Sequence, residues 1–136
     1  MADTPISTKI CASGDLLALR HVLARSLERR GCSAGDIQAV VLAAHEAAKN
    51  GLRFSGERPV YVTVHFQPDQ VAVCVADAGT GFDHDRWRGD VLPDVQQTNG
   101  RGLHLMHGLM DCVEVVVQPL GCIVRMTRRL AFLLAE

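Results

Sequence analysis

Glu46 and Asn50 stand four residues apart in the apolar-periodic run Ile37 to Leu52, a spacing that sets a carboxylate and a neutral amide on one face of a helix. A carboxylate so placed can accept a proton, and an amide oxygen can ligate a hard cation. Asp77 closes an apolar run and is followed by Ala78-Gly79-Thr80-Gly81, so an acidic acceptor stands where the backbone turns freely. Gly100-Arg101-Gly102 opens a later helical stretch, where unpaired backbone N–H groups can meet phosphate. The three stretches, in this order, suggest a nucleotide site.

The elements that must position them are legible from periodicity. Residues 6–12 predict a short edge strand, and Gly14-Asp15 a helix start with the apolar stripe Leu16, Leu17, Leu19, Val22, Leu23 and Leu27, ended by Gly31. Ser33 or Asp36 caps a second helix whose apolar positions are Ile37, Val40, Val41, Ala44, Ala47, Ala48 and Leu52. After a turn at Ser55-Gly56-Glu57-Arg58-Pro59, Val60 to Phe66 and Val71 to Ala76 predict a hairpin through Gln67-Pro68-Asp69-Gln70. From Ala78 to Asn99 the periodicity fails, and a loop of about twenty residues calls for a functional reason such as a ligand lid. Leu103 to Met110 predicts a short helix, and Val113 to Val117 with Ile123 to Thr127 a second hairpin turning at Gln118-Pro119-Leu120-Gly121. Helices sharing one face of a mostly antiparallel sheet make an α+β sandwich of two layers.

Composition narrows the class. The 136 residues suit one domain. Lys and Arg number 14 against 15 Asp and Glu, so no global field exists to hold nucleic acid or an anionic membrane. The cysteines Cys11, Cys32, Cys74, Cys112 and Cys122 are odd in number and form no CxxC pair, which reads as reduced, buried thiols in a cytoplasmic protein. No leader and no apolar run of membrane-spanning length is present. The six histidines form no HExxH pattern; His104 and His107 share a helix face without a visible third ligand, so zinc is not expected. No Gly-x-Ser-x-Gly elbow supports a hydrolase.

The order of elements and the three motifs resemble the GHKL ATPase superfamily, whose members share the Bergerat ATP-binding fold, and within it the bacterial anti-sigma-factor serine/threonine kinases. The resemblance runs from the first helix to the last strand and includes Gly100-Arg101-Gly102-Leu103-His104-Leu105-Met106 leading to Leu109-Met110-Asp111. It implies one ATP-binding domain over residues 1–136, with a mixed, mostly antiparallel sheet and an ATP lid at about 78–101. It further implies that Glu46 is the general base toward a protein hydroxyl, that Asn50 ligates magnesium, and that Asp77 accepts from the adenine amino group with Gly79 and Gly81 letting the backbone pass the base. Gly100 and Gly102 match a second glycine box, Arg101 lies between them near the triphosphate, and Arg20 matches an arginine that engages protein partners.

The implied cofactors are ATP and Mg2+, and the implied partners a sigma factor and an anti-anti-sigma protein of the STAS type, with the kinase a homodimer. Phosphorylation of the antagonist would then reset a partner switch by changing relative affinities. The chain departs from the family pattern at Phe54, where histidine is common, at His104, at Thr98 in place of a basic residue, and at Cys122 in place of a threonine. The last two favour an alternative, a nucleotide-binding module that regulates by partner binding alone. A detached histidine-kinase ATP-binding domain would need a phosphoacceptor helix pair that the short first helix does not offer.

Overall fold

Alternation of apolar residues gives the sheet one buried face. The computed structural model describes residues 5–78, 98–118 and 121–131, with the backbone alone for 98–103 and 118. Its strands are β1 (Ile6–Ile10), β2 (Val60–Gln67), β3 (Gln70–Asp77), β4 (Cys112–Gln118) and β5 (Gly121–Arg129), joined with helices α1 (Ser13–Arg29), α2 (Ala34–Ser55) and α3 (Thr98–Leu109). The sheet order is β1-β2-β3-β5-β4. All four pairings are antiparallel, so the parallel neighbour of a mixed sheet is absent among the described residues. Val60, Val62 and Val64 of β2, Val71, Val73 and Val75 of β3, and Val124 and Met126 of β5 enter one core with the helices, while Tyr61, Val116 and Arg125 lie on exposed positions of the strands. This is the two-layer α+β sandwich expected from the pattern.

The helices are tied at their ends by side chains. Asp15 Oδ2 accepts from Cys11 N at 2.8 Å and Ala12 N at 3.2 Å, so α1 begins two residues before it. Gly31 takes φ 77° just beyond α1, a conformation that glycine supplies without a Cβ penalty. Ser33 is the cap of α2, its Oγ accepting from Asp36 N at 3.2 Å. Asp36 serves otherwise: Oδ1 receives Arg128 Nη2 at 2.8 Å and Nε at 3.0 Å, and Oδ2 receives Ala131 N at 2.6 Å. Arg128 also donates through Nη1 to the carbonyl of Leu109. The start of α2, the end of α3 and the end of β5 thus meet on one carboxylate and one guanidinium.

Three expectations are corrected. Leu17 is 60% and Val22 44% exposed, because α1 buries only the stripe Leu16, Leu19, Leu23 and Leu27 and both residues fall off that line. Helix α3 begins at Thr98 rather than Leu103, which places Gly100-Arg101-Gly102 inside its opening turns; the free amides of a helix start belong to residues 98–101. The cysteines are free, yet only Cys32 and Cys122 are buried, whereas Cys11 and Cys112 are exposed on a helix approach and a strand start. No helix among the described residues is long and apolar enough to cross a membrane.

Candidate functional site

Glu46 and Asn50 project from α2 as their spacing requires, but into different surroundings. The Glu46 side chain is 16% exposed and lies 3.6 Å from the ammonium of Lys49. Asn50 is 4% exposed, and its Nδ2 is buried without a hydrogen-bond partner among the described residues. A buried unpaired amide costs free energy, about 1–3 kcal/mol, so a polar ligand or neighbour is called for here. A half-turn of the amide exchanges its oxygen for its nitrogen, and a hard cation that keeps waters and phosphate oxygens needs little more from protein than that oxygen. Among the described residues no three His, Cys, Asp or Glu side chains group to hold a metal.

Next to Asn50, Gly51 brings α2 down onto the sheet. A Cβ there would lie 3.1 Å from both Val60 methyls and 3.5 Å from Asp77 Cβ, so a larger residue would press on Val60 of β2, beside Asp77. One turn later Ser55 Oγ accepts from Ala78 N at 3.4 Å, tying the chain beyond β3 to the end of α2. Gly51 and Ser55 carry no motif signal of their own; only the packing of α2 across β3 marks them.

Asp77 closes β3 on its helix-facing side, in step with Val71, Val73 and Val75. It stands directly opposite Cys122 of β5, and Cys122 stands opposite Val117 of β4. Directly opposed residues share a face, so a carboxylate, a thiol and an isopropyl group run in one row across the sheet end. Cys122 is 1% exposed. Burial pushes its thiol up to about 11, with the Asp77 charge adding to the shift, so the sulfur stays protonated and offers only a weak donor. Gly121 is held against the Asp77 carbonyl, which a Cβ would overlap.

The remaining site residues of the sequence analysis are divided. Gly79 and Gly81 lie outside the described residues, as does most of the lid. Gly100, Arg101 and Gly102 lie in the opening turns of α3, which packs on α2. Arg20 is exposed on α1 and lines an open groove with Ala24, Glu28, Gln38, Val41 and Leu42; neither Glu46, Asn50 nor Asp77 lines it. Its charge is nevertheless felt at His45, the residue before Glu46. Burial, then Arg20, hold His45 below its ordinary 6.5, while Glu46 pulls it up and Lys49 adds to the lowering. His45 Nδ1 is buried without a hydrogen-bond partner among the described residues.

The fold has known counterparts. The family model described as the histidine kinase-like ATPase domain matches residues 12–128. The chain belongs to that family. Among its relatives in the RsbW-like branch, the serine-protein kinase RsbW of Listeria innocua serovar 6a is 30% identical over 122 residues, covering 81% of this chain and 78% of the relative. The RsbW of Listeria monocytogenes serovar 1/2a is 29% identical over the same shares of each chain. Among solved structures, the RsbU and RsbW domains of Rv1364c from Mycobacterium tuberculosis superpose with a TM-score of 0.72 at 18% identity, over 94% of this chain and 33% of that longer one. The catalytic domain of the histidine kinase ThkA superposes with a TM-score of 0.58 at 10% identity, over 91% and 97% of the two chains. These two likenesses establish the fold. In this member of the histidine kinase-like ATPase family, the end of the sheet where Asp77, Cys122 and Gly121 meet lies beneath the Asn50 turn of α2.

Proposed function

We propose that this protein is an ATP-dependent serine/threonine protein kinase that acts as an anti-sigma factor, phosphorylating an anti-anti-sigma protein of the STAS type and sequestering a sigma factor in the alternative state. The observation that carries this reading is Asn50, buried with an unpaired amide four residues after Glu46 and adjoining Gly51, whose Cβ position lies 3.5 Å from Asp77 Cβ. The similarity to serine-protein kinases named RsbW supports the same chemistry.

In this reading Asp77 accepts a hydrogen bond from the amino group of adenine, and Gly79 and Gly81 let the backbone pass the base. The free amides of residues 98–101 meet the phosphates, with Gly100, Arg101 and Gly102 in those opening turns. Asn50 holds magnesium, which when bound neutralises phosphate charge. Glu46 accepts the proton of the serine or threonine hydroxyl as the γ-phosphoryl group passes to its oxygen and ADP leaves, a reaction in which positioning and charge neutralisation supply most of the acceleration. Arg20, exposed on α1, engages the protein partners, and the kinase works as a cytoplasmic homodimer.

A second reading, a nucleotide-binding regulator without phosphotransfer, draws support from Cys122, whose protonated thiol replaces a stronger hydroxyl donor beside Asp77. Calorimetric titration with ATP, with and without magnesium, tests the site: Asp77→Ala should abolish binding and Asn50→Ala should remove the magnesium effect. Transfer of labelled phosphate to a STAS-domain substrate then separates the readings. Loss of transfer with retained ATP binding in Glu46→Gln supports the kinase; binding without transfer in the native protein sinks it.

A further inference from the structure

Lys49 belongs to no motif singled out in the sequence, yet it lies on α2 between Glu46 and Asn50, its side chain 54% exposed where Asn50 is buried. Residues 46, 49, 50 and 53 are related by i, i+3 and i+4 steps, and Glu46 stands between Lys49 and Asn50 around the helix. Helical side chains lean toward the N-terminus of their own helix, which carries the Lys49 ammonium back over the turn bearing Glu46, to 3.6 Å from its carboxylate. At that separation the pair is longer than a hydrogen bond, so the ammonium's donors are not committed to Glu46. The side chain is 54% exposed, against 16% for Glu46, and an exposed pair of this kind holds together weakly.

The electrostatics give such a cation a purpose. In the nucleotide reading the terminal phosphate lies beside the Glu46 carboxylate, and a polyanionic triphosphate there needs positive charge. Arg20, across α1, acts on His45, and Arg53 follows one turn after Lys49 on the exposed flank. Among the described residues, Lys49 is the cation placed 3.6 Å from the Glu46 carboxylate. A phosphate group offers the ammonium a stronger, charge-assisted hydrogen bond than its long contact with the carboxylate.

We propose that Lys49 is a phosphate-binding residue of this site, its ammonium moving from Glu46 to the terminal phosphate of a bound nucleoside triphosphate. The inference rests on the nucleotide reading above. It makes the lysine release Glu46 when the triphosphate arrives, leaving the carboxylate free for the incoming hydroxyl.

The test compares ADP with a non-hydrolysable ATP analogue, each with magnesium, titrated calorimetrically into the native chain, Lys49→Gln and Lys49→Arg, with circular dichroism to verify folding. Lys49→Gln should lose about tenfold in affinity for the triphosphate while ADP binding stays unchanged, and Lys49→Arg should retain most of the triphosphate preference. A lysine that merely pairs with Glu46 on the helix surface predicts no change in the ratio of the two affinities, and an unchanged ratio overturns the proposal. A native chain that binds ADP but gains nothing from the third phosphate overturns it as well, while leaving the base site standing. A native chain that binds neither nucleotide removes the nucleotide reading and this inference together.

Discussion

Gly121 lies against the carbonyl of Asp77 so closely that a single methyl group on Gly121 would overlap that oxygen. The contact joins the first residue of β5 to the last residue of β3 and holds the Asp77 backbone in register with Cys122. Gly121→Ala should therefore overpack the strand end, costing about 1–3 kcal/mol, and displace Asp77. Its denaturation midpoint should fall, with nucleotide affinity falling further than the stability loss explains. Gly108→Ala is the control: its added Cβ meets nothing within 4 Å, and replacing a helical glycine should stabilise by about 0.5–1 kcal/mol. Equal midpoints for the two variants would contradict the contact.

Asn50 offers a test of function set against stability. Its buried Nδ2 lacks a partner among the described residues, so an apolar replacement of similar size removes a desolvated polar group rather than a hydrogen bond. Asn50→Leu is expected to leave the unfolding free energy unchanged or raised by up to about 1 kcal/mol, while the magnesium dependence of nucleotide binding disappears. A large destabilisation in urea titrations would show instead that the amide is held by neighbours.

Asp36 and Arg128 make stability depend on acid. Burial raises the Asp36 carboxyl, but the hydrogen bonds from Ala131 N, Arg128 and Ser33 and the Arg128 charge outweigh it and hold the group below its ordinary 3.8. A carboxyl depressed in the folded state stabilises the protein above 3.8, and that contribution fades as pH falls through the folded value. Arg128→Met should cost about 3 kcal/mol at neutral pH, since Asp36 is left charged and buried. The gap between native and variant should narrow below pH 3.8, as read from thermal midpoints over a pH series. A gap independent of pH would mean that Arg128 contributes by packing alone.

The cysteines should sort by exposure and by acidity. Cys11 and Cys112 are exposed, Cys74 is half-buried, and Cys32 and Cys122 are buried with thiols raised by burial, Cys122 to about 11. Alkylation of the native protein at pH 8, followed by peptide mass spectrometry, should label Cys11 and Cys112 first. Cys122 should react only on unfolding, because the thiolate is the reactive form. Early labelling of Cys122 would show that the end of the sheet opens in solution.

Much of this molecule is local and therefore legible in order along the chain. Four residues of helix place Asn50 beneath Glu46 wherever the helix goes, alternation assigns Val71, Val73, Val75 and Asp77 to one face of a strand, and the turn residues at Pro68 and Gly121 locate both hairpins. The same local logic errs where a neighbour decides. Leu17 and Val22 are as apolar as Leu19, yet only the line of α1 that meets α2 and the sheet is buried. The apolar period of α3 starts at Leu103 because glycines precede it, whereas the helix runs from Thr98 through them.

Residue types and short spacings along the chain are enough to specify the helices, the hairpins and the pairing of a carboxylate with an amide on α2. Packing between distant elements is what seats Gly51 of that helix over Asp77, sets Cys122 opposite the carboxylate across the strands, and brings Asp36 to Arg128 from 92 residues away. The reason is physical. Periodicity is imposed by backbone geometry over a few residues, whereas strand register and the height of a helix above a sheet depend on which distant side chains fill the space between them.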